Sequence, residues 1–445
     1  METDDRFDIA VIGAGSAATS FITAMEGSGH TIVVFEPDLV GGECPFRACI
    51  PSKSMLHDSL TGRSWRDAVA RRDDLVDHLD DSSHVEPLVD AGATVVRERA
   101  RLDGPGRVVA GHTRYEVDHV VVANGAVTVM PDIDGLDADH DRVWTHRDVL
   151  TSSEQPDSVV VLGGGVIGSE LALMYAGFGT DATTIDEVDR PVDDLHPRVG
   201  EIMADVLTDA GVELVNGAAV VRVEANDDAV TVHTDDDRTF RADRLLVAVG
   251  RRPDLDDLGL ESVGLDPADL DVDDTGRVTG AADGASIWIA GDAAGRKQYT
   301  HLANHHGTVL ADHLAGDGER RYGGVVVPAC IFIDPPVFVI GDSYVDADER
   351  LVWATAELET ARHSTDERRA GFMAVAVDPE TRCIAHAHGI GPGVDELTHA
   401  LVIAIDGAVP IETLRRTIQP FPTLGGALAG VYDAVVDALD DQSRS

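Results

Sequence analysis

The chain has 445 residues and a formal net charge of −45, from 80 acidic against 35 basic side chains. A field of that sign repels phosphate and excludes a general nucleic-acid binder. Four cysteines are too few for a disulfide scaffold, and no apolar run reaches the length of a membrane span. The length predicts about three domains. The acidic start Met1-Glu2-Thr3-Asp4-Asp5 is not a signal peptide, so a cytoplasmic location is expected. Lysine is reduced to Lys53 and Lys297 while arginine is plentiful. This balance resembles that of proteins from salt-loving archaea, in which high salt screens the self-repulsion. A lone carboxylate therefore says little about function here, and a lysine says more than usual.

In chain order, the apolar run 8–12 predicts a strand, followed by Gly13-Ala14-Gly15-Ser16-Ala17-Ala18 and a helix to about Met25. A second strand over 31–35 ends at Glu36. Such a βαβ unit lets the backbone approach a pyrophosphate at a helix N-terminus, with the acid accepting from ribose hydroxyls. Ala18 takes the place of the third glycine. Next comes the stretch 41–53, Gly-Gly-Glu-Cys-Pro-Phe-Arg-Ala-Cys-Ile-Pro-Ser-Lys, with thiols at Cys44 and Cys49. Two thiols beside a redox cofactor can exchange electrons with it as a dithiol/disulfide pair. Residues five apart on a regular helix have Cα atoms about 8–9 Å apart, whereas a disulfide tolerates at most about 7 Å. The pair can bridge only where the helix is distorted around Cys44. Pro45 suits a helix start, Pro51 loosens the turn that holds the pair, and a helix N-terminus favours the reactive thiolate.

The strand-to-glycine form 118–126 includes Gly125. A second fingerprint follows: a strand over 158–162, Gly163-Gly164-Gly165-Val166-Ile167-Gly168, a helix to about Gly177, and a strand from 182 to 185 ending at Asp186. The acid stands 23 residues after the first glycine in both copies. One such glycine motif is weak evidence; two in the same context with the same acid spacing are strong. The stretch 244–250 repeats the strand-to-glycine form up to Gly250 and continues Arg251-Arg252-Pro253. A strand over 286–290 ends in Gly291-Asp292, where a buried carboxylate can take a ribityl hydroxyl. From Tyr322 onward, the runs 325–327, 337–340 and 372–377 predict an antiparallel sheet with flanking helices. Cys330 and Cys383 read as core. His386 and His388 alternate along a strand and read as packing in preference to a metal site. His305-His306 is placed to line an interface, and no metal is expected.

Together, the stretch 41–53, the two fingerprints, the run 289–292 and the stretch from Val327-Pro328 through Phe332-Ile333-Asp334-Pro335 resemble the pyridine nucleotide-disulfide oxidoreductase family. This is the group of dihydrolipoamide dehydrogenase, glutathione reductase and mercuric reductase, and the resemblance covers essentially the whole chain. It implies an α/β fold with two Rossmann-like dinucleotide-binding domains and a C-terminal α+β dimerisation domain. The FAD domain would take 1–150 and 271–320, the NAD domain 151–270 and the interface domain 321–445, in a homodimer whose active site is shared between subunits. FAD would be held by Gly13, Gly15, Ala18, Glu36, Gly42, Lys53, Ala100, Gly125, Asp292 and His301. NAD would be held by Gly163, Gly165, Gly168, Glu170, Asp186 and Gly250. Nicotinamide would reduce the flavin, and the flavin would reduce the Cys44–Cys49 disulfide. Cys49 would face the flavin, Cys44 would face the substrate, and Lys53 would pair with Glu170. Asp186 would accept from the adenosine ribose and repel a 2′-phosphate, favouring NADH over NADPH.

The pattern breaks near the C-terminus. The family usually carries a histidine there, followed five residues later by a glutamate, as the proton donor and acceptor. Aligned on Pro422-Thr423, Phe421 takes the histidine's place and Gly426 the glutamate's. A phenyl ring cannot transfer a proton. Mercuric reductases also lack the histidine but add a C-terminal cysteine pair, which this chain does not have. Ketopropyl-coenzyme M oxidoreductase/carboxylase has a phenylalanine there and a Cys-Pro-x-x-Ala-Cys redox motif, the form of residues 44–49. The expectation is an FAD- and NADH-dependent enzyme acting on a small disulfide or other electrophile. The alternatives are carboxylase-like carbon–sulfur cleavage, mercuric-ion reduction and a non-turnover flavin redox sensor.

Overall fold

The computed structural model describes residues 5–295, 297–316, 318–359 and 371–442. They fall into two compact units. The first gathers the chain up to Met55, Arg66–Val129 and Gly250–Val325. The second gathers Leu56–Trp65, Met130–Val249 and the chain from Val326 onward.

In the first unit the strand Asp5–Ile12 pairs in parallel on both sides, with Ile32–Phe35 and with Thr113–Val122. Helices and loops cover both faces, so the strand reads as a continuous apolar run. Its residues alternate between two cores. Ile9 and Val11 pack with Phe21 and Ile22 of the helix Ser16–Ala24 and with Val309 and Leu310 of the helix Thr300–Ala315. Ala10 and Ile12 pack on the other face with Val33, Leu255 and Leu260. Ala93–Val96 extends one edge of this sheet, Arg107–Ala110 and Ala100–Leu102 extend the other, and Ile287–Ile289 joins in parallel beside Thr113–Val122. Three segments therefore converge at the carboxyl end of the central strands: residues 13–15, residues 123–125 and residues 290–292.

The second unit repeats the parallel arrangement. Ser158–Leu162 is flanked by Asp181–Ile185 and Arg244–Val247, with Glu213–Val215 and Val143–Trp144 outside them. A three-stranded antiparallel sheet follows, from Val220–Ala225, Val230–Thr234 and Thr239–Ala242. The C-terminal part is a five-stranded antiparallel sheet in the order Pro328–Ile331, Val337–Ile340, Ile384–Ile390, Gly371–Val377, Val352–Leu358. Leu428, Val431 and Val435 of the helix Leu424–Gln442 pack into its core with Val375. The run 325–327 is not a strand. Pairing with Val337–Ile340 begins at Pro328, and Val326 packs against the sheet's core. Pairing also decides where the chain passes between units. Arg251–Pro253 pairs with Ala126–Thr128 and so joins the first unit, while Val143–Trp144 pairs with the strand Arg244–Val247 and so joins the second. Among the described residues no helix is long and apolar enough to cross a membrane.

Candidate active site

Glu43–Phe46 is a single helical turn and Cys49–Leu60 a helix of 12 residues. Between them Arg47 leaves the helical region, at φ −136° and ψ 8°. Cys44 and Cys49 therefore do not share one continuous helix, which is the distortion their spacing demands. Pro45 and Pro51 each stand third in their own helix, inside the first turn, where an amide has no intrahelical acceptor to lose.

Both cysteines are free and half-buried, and their thiols hydrogen-bond each other. The Cys49 Sγ also lies 3.5 Å from the Thr300 hydroxyl. Cys49 and Thr300 each head a helix, Cys49–Leu60 and Thr300–Ala315, and the positive end of a helix dipole stabilises an anion. The two sulfurs are thereby made unequal. The bond from Cys44 lowers the Cys49 pKa to about 6, with Thr300 and the Lys53 charge acting in the same direction against burial. Cys44 is pushed well above the usual thiol range, first by the bond it gives to Cys49 and then by burial. The pair is poised as one thiolate and one thiol, with the charge on Cys49.

Arg251 stands beside this segment. Its Nη2 is 2.9 Å from Glu43 Oε2 and its Nη1 2.9 Å from Asp292 Oδ2, while Nη2 also reaches the Ala126 carbonyl at 3.2 Å. Burial raises the Asp292 pKa, and the Arg251 charge works against that rise.

The first unit also holds a cradle for a dinucleotide. Gly42 lies so close to Gly15 that a Cβ on it would stand 2.8 Å from the Gly15 Cα. The helix Ser16–Ala24 has no side-chain cap at Gly15, so its first amides are open to a phosphate. Glu36 reaches back to the turn, accepting from the Ala14 amide at 3.0 Å and the Asp38 amide at 2.9 Å. Burial raises its pKa, and each carboxylate oxygen keeps a lone pair for a ribose hydroxyl. These residues fit the pyrophosphate and ribose of FAD. Gly13 packs against residues 123–124, and Gly125 lies beside them at the same sheet end. Ala18 and Ala100 are buried in the core. His301 is exposed, with its ring stacked 5.4 Å from Tyr299.

The second unit builds the same device. Asp186 accepts from the Gly164 amide of its glycine turn and from the Val188 amide at 3.3 Å. A Cβ on Gly168 would stand 1.9 Å from the Gly163 carbonyl oxygen, so only glycine lets this helix close on its turn. Gly165 heads the helix Val166–Gly177 with no side-chain cap, leaving its first amides free for a nucleotide phosphate. Glu170 is buried in that helix and accepts from the Phe332 amide at 2.8 Å. Gly250 falls in the first unit. Lys53 lies in the first unit and Glu170 in the second. Phe421 is 84% exposed.

His388 is fully buried, accepting from the His196 amide at 3.1 Å and paired through Nε2 with the Asp342 carbonyl at 3.1 Å. His386 accepts from the Asp342 amide at 3.0 Å. His306 accepts from the Gly291 amide at 3.2 Å and stacks on Tyr322, and His305 pairs with the Arg321 carbonyl at 2.9 Å. Burial pushes the Cys330 thiol up to about 11. The Cys383 thiol donates to the Ala408 carbonyl at 3.3 Å. Sequence reasoning missed Thr300, Glu43 and Arg251. Thr300 carries no local signal. Glu43, inside the cysteine stretch, and Arg251, in the Gly-Arg-Arg-Pro turn, stood in view without an assigned role.

A dinucleotide cradle in each unit and an asymmetric thiol pair beside one of them define a flavoprotein disulfide oxidoreductase. Residues 7–307 match the pyridine nucleotide-disulphide oxidoreductase family and residues 327–431 match its dimerisation domain. The chain belongs to that family and is dihydrolipoyl dehydrogenase-like, an NAD(P)H-dependent enzyme class that uses FAD. It is 30% identical to the dihydrolipoyl dehydrogenase of Haloferax volcanii, over 97% of this chain and 96% of that one. It is 25% identical to a mercuric reductase of Bacillus cereus, over 95% of this chain and 70% of that one. Among solved structures, the Cu(II) complex of the HOCl-induced flavoprotein disulfide reductase of Escherichia coli superposes with a TM-score of 0.86, at 24% identity, over 96% of this chain and 99% of that one. That likeness bears on the fold alone.

Proposed function

We propose that this chain is a homodimeric, NADH-dependent flavoprotein that reduces a small disulfide or other electrophile through Cys44 and Cys49, without a histidine–glutamate dyad. The observation that carries the reading is the thiol pair itself, hydrogen-bonded to each other with the Thr300 hydroxyl 3.5 Å from Cys49 Sγ, an arrangement that makes the two thiols unequal. With Cys49 the thiolate and Cys44 the thiol, Cys49 is suited to the cofactor side and Cys44 to interchange with substrate. When bound, FAD carries reducing equivalents from the nicotinamide to this pair. Lys53 and Glu170 keep the roles that the resemblance gives them. Asp186 supports NADH, because a second negative charge beside it would be repelled.

Phe421 shapes the choice of substrate. Splitting a disulfide into two thiols consumes protons, and the side chain at this position has none to give. The missing acid–base step is typically worth about 10²–10⁴-fold. A thiophilic metal ion takes up electrons without a proton, so the exposed Phe421 favours mercuric-ion reduction as the second reading. Carboxylase-like cleavage rests on Phe421 and the spacing of residues 44–49 alone. The test is oxidation of NADH and of NADPH in molar salt with lipoamide, bis-γ-glutamylcystine and mercuric ion as acceptors. A thioether with labelled bicarbonate serves as the carboxylation arm. Turnover with lipoamide or the cystine derivative is expected, NADH being preferred. Turnover with mercuric ion alone moves the assignment to the second reading. Label fixation establishes the carboxylase, and silence on every acceptor leaves only a redox sensor.

A further inference from the structure

We propose that Arg251 is a further cofactor-holding and positioning residue, one that ties the Cys44 segment to the flavin site. The inference rests on the FAD reading above and adds to it a residue and a linkage. Arg251 holds two carboxylates at once, Glu43 and Asp292, each at 2.9 Å. Glu43 precedes Cys44 and follows Gly42, which closes on Gly15 of the phosphate turn. Asp292 ends the strand segment where a ribityl hydroxyl is expected. A single guanidinium thus joins the redox segment to the far end of the same cradle, across 208 residues of sequence on one side and 41 on the other.

The third donor of that guanidinium is the telling one. Arg251 Nε is buried and has no hydrogen-bond partner among the described residues. A buried donor left unsatisfied is costly, and a guanidinium presents its donors in a fixed fork, so Nε cannot turn away while both Nη atoms are held. With Nη2 on Glu43 and Nη1 on Asp292, the direction of the Nε–H is fixed along one edge of the planar group. That donor is satisfied when an oxygen of the flavin nucleotide, on the ribityl chain or the phosphates, lies there as acceptor. The three side chains carry a net charge of −1, so a neutral hydroxyl or a phosphate already neutralised by helix amides suits them better than a free anion.

The test uses the full chain with Arg251→Lys, Arg251→Met and Glu43→Gln, each first checked for an unchanged melting temperature without cofactor. Binding of FAD, FMN and riboflavin is then measured by flavin fluorescence, and the midpoint potential of the thiol pair by redox titration. Both Arg251 variants are expected to bind FAD about tenfold more weakly or worse, from the loss of a hydrogen bond to a charged group. Lysine should not rescue, because it keeps the charge and loses the fork. A loss shared by riboflavin places the acceptor on the ribityl chain, a loss shared by FMN alone places it on the phosphate, and a loss confined to FAD places it on the pyrophosphate. Each supports the assignment. Glu43→Gln is expected to shift the potential of the pair, because the Cys44 segment loses its anchor. If Arg251→Lys and Arg251→Met bind FAD as tightly as the unsubstituted chain, Arg251 does not hold the cofactor. An unmoved potential in Glu43→Gln overturns the positioning role. If the unsubstituted chain itself fails to bind FAD, the proposed function falls and this inference falls with it.

Discussion

The Cys49 thiol decides how this site works, and a hydroxyl from another part of the chain helps to decide its state. An ordinary cysteine, with a pKa of about 8.5, is mostly protonated at neutral pH. Cys49, lowered to about 6 by the Cys44 bond, Thr300 and Lys53, is mostly thiolate there. Its folded-state value is depressed, so the reactive form is present above about pH 6 and is lost as pH falls through that value. Alkylation of the reduced protein, read by peptide mass across a pH series, should therefore show Cys49 reacting with a midpoint near pH 6 while Cys44 stays slow. Thr300→Val should move that midpoint upward, and Thr300→Ser should leave it in place. Equal midpoints for the two cysteines would sink the assignment. The cysteine pair was legible in the sequence because its signal is local: two thiols, two prolines and one of two lysines within 13 residues. Thr300 was not legible, because its contact with Cys49 spans 251 residues. Arg251 and Glu43 were each visible, but only folding brings them together.

Elements were legible where an apolar run was bounded by turn residues. The strand Ser158–Leu162 and the helix Val166–Gly177 fall where the glycines and the hydrophobic pattern put them. The two acids at equal spacing marked matching turns, and the structure shows Glu36 and Asp186 each bonded to the second residue of its own turn. The run 325–327 misled, because three valines satisfy a strand pattern whether they pair or pack. Glycine at 168 is needed for contact more than for conformation. Gly168→Ala places a methyl against the Gly163 carbonyl, and such overpacking costs about 1–3 kcal/mol. Denaturant unfolding should show that loss, together with weaker binding of NADH. Stability and affinity equal to those of the unsubstituted chain would mean that the helix and turn part easily and the cradle is not built by this contact.

Over the whole molecule, the net charge of −45 and the near absence of lysine set the conditions in which any activity must be sought. At about 1 M salt the Debye length falls to about 3 Å, against about 30 Å at 0.01 M, and only the former screens so many carboxylates from one another. Each unit separately carries the parts for one nucleotide, and the match to the dimerisation domain covers residues 327–431. The substrate stayed illegible for a physical reason. Phe421 stands where the resemblance expects a proton-transferring histidine, but an exposed ring does not name what Cys44 attacks. The electron path makes a sharper claim than the substrate does. Anaerobic titration of the FAD-loaded protein with NADH in molar salt tests it most directly, by following the long-wavelength absorbance of a thiolate against oxidised flavin. The band should appear in the unsubstituted chain, persist in Cys44→Ser and vanish in Cys49→Ser. Its absence from the unsubstituted chain, or its survival in Cys49→Ser, would contradict the account.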